Sequence, residues 1–331
     1  MGATVTTISS ELKQITADLH QVNPWTGLIR FGVIGTIFLS LVMLAWSVQN
    51  NSLFVITTIL AGIFYAFLLI CTHDMVHQTL TGWGWFDTVM PRLVSWPMFW
   101  PYSIYAELHS LHHGWNGVDL RDPERVQWTW QEYQQAQSIV QWYVRHQWLC
   151  DIFILGGIGL IIKTFIMGVR FQKLVTRMRR QILLDVTGIL LVHSIMLAIA
   201  ISQGQVLRYL LFWVILERVI GVIVQIRDHL EHYGLWVKFT NHQLTQIYAC
   251  RNLKTSPLVG WLMGGLDYHA VHHAFPGIPF NQLPVAFTRI QGVLQKHNLP
   301  TMQLDSGYIK STYRLSNHPS LIGEADETIP F

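Results

Sequence analysis

Four apolar stretches of membrane-spanning length punctuate the chain as two pairs. Residues 28–48 and 52–71 are separated only by the polar "QNN", and residues 183–201 and 206–226 only by "SQGQ". About 20 apolar residues cross roughly 30 Å of hydrocarbon as a helix, so each pair predicts a helical hairpin. A fifth apolar stretch, 152–169, follows Arg121, Arg125 and Arg145 and precedes Arg170, Lys173, Arg177, Arg179 and Arg180. Lys and Arg concentrate in short cytoplasmic loops. Basic residues on both flanks therefore predict that this stretch lies in the interface or dips in and returns. The segment "SWPMFWPYSIY" (95–105) is aromatic and broken by proline, which suits an interfacial belt. The expected architecture is an all-α integral membrane protein with four transmembrane helices and a cytoplasmic helical cap. Both hairpin loops fall outside and both termini inside. Residues 1–27 form an N-terminal cytoplasmic segment, 28–290 the membrane domain and 291–331 a cytoplasmic tail.

Composition agrees with a lipid environment. The chain is 51% hydrophobic and only 12% charged, against about a quarter charged in ordinary globular proteins. A net charge of +3, scattered along the chain, gives no footprint for nucleic acid. Cys71, Cys150 and Cys250 are odd in number and far apart, so neither a disulfide framework nor a paired metal spacing is expected.

Histidine changes the picture. Ten of the 16 histidines fall into four dense groups: His73 and His77; His109, His112 and His113; His229 and His232; and His269, His272 and His273. With four crossings, every group lands on the same, cytoplasmic side; with five they would be split. A helix turns 100° per residue, so "HxxxH" aims two imidazoles one way and "HxxHH" adds a third toward a neighbouring spot. Two such helices and an "HxxxH" helix suit a pair of metal ions. His20, His146, His193, His242, His297 and His318 stand alone and read as surface or satisfied core residues. Zinc takes only three or four ligands; this surplus favours two nitrogen-loving redox ions such as iron or copper. Redox metals at a membrane surface point to oxygen chemistry on a lipid. A metal-transport protein is the alternative of a different class, but it would place ligands along the crossings, where only His193 lies.

At these residues the chain resembles the membrane fatty acid desaturase family. "HDMVH", "HSLHH" and "HAVHH" resemble its three histidine boxes, "RDHLEHYG" its additional histidine segment, and "HAVHHAFPGIPFNQLP" the proline-rich run after the last box. The resemblance implies a di-iron centre of two iron ions held by His73, His77, His109, His112, His113, His232, His269, His272 and His273, with His229 as a further candidate. Asp228 occupies a position where related enzymes place a polar residue bound through water. Ligand histidines pass their other ring N–H to a carboxylate or carbonyl; Asp74, Glu107, Glu231 and Asp267 are near enough in sequence, as are Asp119 and Asp122, but each equally suits a solvated loop charge, the favoured reading for Asp119 and Asp122. Trp96, Trp100 and Trp115 suit either a substrate channel or interfacial anchoring. Glu217 and Arg218, in the middle of the fourth crossing, are expected to be buried partners.

The implied activity is O2-dependent insertion of a cis double bond into an acyl chain. Electrons come from an external ferredoxin or cytochrome, because the chain carries no nucleotide-binding fingerprint. Three residues between the histidines of the first box, and His269 rather than glutamine opening the third, lean toward an acyl-lipid substrate. A hydroxylase or ketolase acting on a carotenoid, sterol or sphingoid lipid would share the same cage.

Overall fold

The computed structural model describes residues 5–323. In chain order its helices are α1 (Val5–Thr16), α2 (Pro24–Ser47), α3 (Asn51–Val76), α4 (Gly84–Ser95), α5 (Tyr102–Trp115), α6 (Trp130–Gln135), α7 (Ser138–Arg145) and α8 (Gln147–Leu149). They continue with α9 (Gly156–Phe171), α10 (Met178–Ser202), α11 (Val206–His232), α12 (His242–Tyr248) and α13 (Pro257–Leu262). Last come α14 (His269–Ala274), α15 (Leu283–Lys296) and α16 (Tyr308–Ser316). The strands β1 (Asn252–Lys254) and β2 (Leu304–Ser306) pair in parallel.

The first hairpin is punctuated by asparagine. Asn23 caps α2 by accepting from Trp25 N–H, with Pro24 in the first turn, and Asn50 caps α3 by accepting from Leu53 N–H at 3.0 Å. Asparagine oxygens satisfy the orphan N–H groups of a first turn, and proline has none to lose there. α3 has 26 residues and α11 has 27, about 39 Å and about 40 Å at 1.5 Å per residue. Both outrun the roughly 30 Å of hydrocarbon, and each carries its histidines in the surplus turns without a break. Only 17% of the apolar windows of α2 and α10 is buried in the protein. Their leucine and isoleucine side chains, Leu39, Leu190 and Ile195 among them, face outward as a lipid-contacting surface would.

Five helical segments are long and apolar enough to cross a membrane, the fifth running from Gln147 to Phe171. That fifth segment is not one straight helix. A π-helical turn, Cys150–Leu155, meets Gly156 at φ 54° before α9 begins. Glycine adopts this left-handed conformation without the Cβ clash. The break frees backbone groups that α11 takes up. Arg218 donates to the carbonyls of Ile154 and Leu155 at 2.9 and 3.0 Å, Gln225 donates to that of Gly156 at 2.9 Å, and Glu217 accepts from Ile158 N–H at 2.7 Å. Arg218 also pairs with Glu217; only Glu217 is buried as expected, Arg218 being about a third exposed, and together they tie two helices. A Cβ at Gly221 would lie 2.2 Å from the nitrogen of Gly157; bare backbone is what allows that contact.

Above the long helices sits a cap with its own core, including Leu12, Ile247, Ala270, Val271, Ile290 and Leu294. It joins α12, α14 and α15 to α1. Glu11 holds Lys296 and His297 at 2.6 and 2.8 Å, and Arg289 donates to Asp18 at 2.5 Å. The segment beyond residue 290 is packed on the body: α15 runs through it, β2 pairs with β1, and Tyr308 packs beside Ile70, Met263 and Leu266.

Candidate metal centre

Four helix ends deliver the histidines. His73 lies in the last turn of α3 and His77 caps it; α5 carries His109, His112 and His113; His232 ends α11; and α14 is little more than the third box. One group brings ligand atoms of His73, His77, His109, His113 and His272 within 4.8 Å of one another, and a second does so for His232, His269, His273 and Cys250. His112 joins the second group, its Nε2 3.1 Å from that of His232. His269 Nε2 is 3.0 Å from the same atom, and His109 and His113 present Nε2 atoms 3.0 Å apart. Two nitrogens each about 2.1 Å from one ion, at a right angle, lie about 3 Å apart. The Nε2 atoms of His73, His77, His272 and His273 are buried without a hydrogen-bond partner. Buried polar atoms are seldom left so; lone pairs converging within each of the two groups fit bound metal.

The outer nitrogens are held from behind. Asp122 accepts from His112 Nδ1, which is 2.9 Å from both carboxylate oxygens. Glu124 accepts likewise from His109 at 3.1 Å, and Gln246 Oε1 lies 3.0 Å from His273 Nδ1. Asp74 is 3.4 Å from His73 Nδ1 and is fixed by Arg30, a fully buried arginine 2.7 Å away that also donates to the Leu262 carbonyl. Such partners set which nitrogen faces the metal.

Electrostatics divide the rings. Burial, reinforced by neighbouring histidines, holds His109, His113, His269, His272 and His273 well below the usual imidazole range. They stay neutral, as metal ligands must. At His112 burial pulls the same way, but the Asp122 and Glu124 carboxylates outweigh it and push the ring up to about 9. Burial raises Glu124 itself to about 7. The negative lining of this corner favours positive charge, which a metal ion supplies.

Several expected roles fall elsewhere. His229 is turned away from both groups: its Nε2 lies 3.0 Å from Asp151 and its Nδ1 3.0 Å from the Gln225 carbonyl. Glu107 accepts from Gln181 and Asp267 from Thr255, whereas Asp119, expected as a loop charge, accepts from exposed Arg121. Glu231 pairs with Arg227 at 3.2 Å and stands 3.6 Å from His269 Nε2. Asp228 makes no hydrogen bond to a box histidine among the described residues and instead lines cavities beside them. Asp122, read from sequence as a solvated charge, is buried against His112 because the loop after α5 folds back over it. Glu124, Gln246 and Arg30 lie outside every box, and Cys250, whose spacing shows no metal pairing, stands in the second group. Only Glu124 had a local signal, an acid two residues from Asp122 whose N–H closes a turn on that carboxylate at 3.0 Å.

An apolar cavity opens beside the cage. Leu69, Leu108, Leu160, Ile161, Ile220 and Val224 line it, and it reaches His73 and Glu124. Trp100 borders it; Trp96 instead donates to Asp185 at 3.0 Å, and Trp115 packs on Phe171 and Arg121.

The family model described as "Fatty acid desaturase" matches residues 50–305. A fatty acid desaturase of Bacillus subtilis is 25% identical over 279 residues, covering 78% of this chain and 73% of that protein. The dihydrorhizobitoxine desaturase of Bradyrhizobium elkanii is 25% identical over 265 residues, 76% of this chain and 70% of that one. A Delta(8)-fatty-acid desaturase of Euglena gracilis is 23% identical over 267 residues, covering 75% of this chain and 63% of its own. Because the matched span encloses all three histidine boxes together with the helices that carry them, the chain belongs to the fatty acid desaturase family.

Proposed function

We propose that the protein is an O2-dependent desaturase of lipid acyl chains that holds two iron ions. The observation that carries this reading is the apolar cavity ending at His73, which brings a hydrocarbon chain to the cage. His73, His77, His109, His113 and His272 would hold one ion; His112, His232, His269 and His273 would hold the other, with His229 outside the set. With the ions bound, the centre supplies the chemistry the side chains lack: O2, two outside electrons and two protons take two hydrogens from adjacent CH2 groups, leaving a cis double bond and two waters. The protein's own work is positional. Leu69, Leu160 and Ile220 exclude water from the chain, and Asp122, Glu124 and Gln246 keep the rings aimed inward. The donor is a separate ferredoxin or cytochrome.

The same reading puts α2, α3, α10 and α11 across the membrane, with the cap and both termini on the cytoplasmic side. The Gly156 break, buried Asp151 and Lys163 within the fifth segment support a helix that dips and returns. Gas chromatography of fatty acid methyl esters from a host with and without the gene tests the activity. New unsaturated chains are expected; oxygenated lipids would instead favour the hydroxylase reading, and an unchanged profile would overturn the proposal.

A further inference from the structure

A second cavity, more polar in its lining, lies against the apolar one. Arg125, Gln127, Glu132, Tyr143 and Gln147 are among its walls. Leu160, Lys163, Met167 and Asp228 border both spaces, so they form the neck between them. The charges of the polar side are matched. Arg125 pairs with Glu132 at 2.7 Å, and Asp151 with His229 at 3.0 Å and with the Tyr143 hydroxyl at 2.7 Å. Lys163 differs: its ammonium makes neither a hydrogen bond nor an ion pair among the described residues, and it meets the Glu124 carboxylate of the apolar cavity only through longer-range attraction. A cation half-buried in an apolar helix needs an acceptor. Asp228 is the other charged residue of the neck, so the neck offers a donor without an excess of positive charge.

We infer that Lys163 is a specificity-determining residue that donates to the carbonyl oxygen of the acyl substrate at this neck. The hydrocarbon then runs into the apolar cavity toward His73, and whatever the acyl group is attached to lies in the polar cavity. The inference rests on the acyl reading above and deepens it. A chain fixed at its carbonyl presents a set number of carbons before the cage, so the double bond is counted from the carboxyl end. Carotenoids and hydrocarbons without an acyl carbonyl lack the group that Lys163 takes.

Two measurements test it on the full-length protein. The first is displacement of a fluorescent fatty acid ester from the purified iron-loaded protein in detergent by methyl stearate, stearic acid, a stearoyl phospholipid and octadecane. Lys163→Met is expected to weaken the carbonyl-bearing ligands about tenfold and to leave octadecane unchanged, with Lys163→Arg restoring binding. Which of the three carbonyl compounds loses most identifies the carrier. The second is double-bond position in products from the iron-loaded enzyme: a single position for the wild type and Lys163→Arg, neighbouring isomers for Lys163→Met, with KM raised more than kcat falls. Equal binding by Lys163→Met, or one unshifted isomer from it, overturns the inference. Ester binding that depends on Lys163, in a wild type that desaturates nothing, would sink the proposed activity and leave the site standing.

Discussion

Each imidazole of the cage has two duties, one nitrogen facing the metal position and the other facing a partner, and the two fail differently. His112→Ala or His272→Ala is expected to lower iron content, read by mass spectrometry, and to abolish activity, because each ring is part of a converging set. His232→Ala should match them. His229→Ala should keep its iron yet melt earlier, since Asp151 would be left buried with one fewer donor, a loss on the order of 1–3 kcal/mol. The reverse order for this pair would mean that the wrong histidine has been assigned to the cage. Asp122→Asn and Glu124→Gln should fold and still weaken metal affinity by about ten- to a hundredfold in chelator competition. The convergence of the box histidines was legible because box spacing records helix geometry directly. Their partners were not: Gln246 and Arg30 reach the site from α12 and α2, and nothing in either local stretch marks a residue that meets a histidine only after folding.

Elements repeat the contrast. The paired apolar runs foretold α2, α3, α10 and α11, although the helices run past the expected ends by a turn or more, carrying His73 and His232 with them. Hydropathy marks where a helix can sit in lipid, and the hydrogen-bond ladder decides where it stops. For the fifth stretch the basic flanks predicted a segment that lies in the interface or dips and returns, but the place of its break was not legible, because it depends on Arg218 and Gln225 offering donors from another helix. The Gly157–Gly221 contact offers a direct test of that junction. Gly221→Ala should force α9 off α11 and destabilise the protein by about 1–3 kcal/mol, with distortion of the apolar cavity that Gly157 and Gly221 both line and loss of activity. Gly32→Ala, whose Cβ would meet nothing within 4 Å, is the control and should melt like the wild type. Indistinguishable melting of the two variants would argue against tight packing at the crossing.

For the molecule as a whole, the four-crossing arrangement requires that the cap and both hairpin loops lie on opposite sides of the bilayer. The native cysteines are all buried, so single exposed cysteines can report orientation. Asn50→Cys and Gln203→Cys should react with a membrane-impermeant maleimide in intact cells, while Arg121→Cys and Lys296→Cys should react only after permeabilisation. Labelling of either cap site in intact cells would contradict the arrangement. The division of the cage also has a temporal side. His73, His77, His109 and His113 lie within the first 113 residues, whereas His232, His269 and His273 lie beyond residue 231. A nascent polypeptide therefore leaves the ribosome with most of one nest complete and the other scarcely begun. Iron captured during synthesis would occupy the two positions in order, and the second could close only once the third box had emerged.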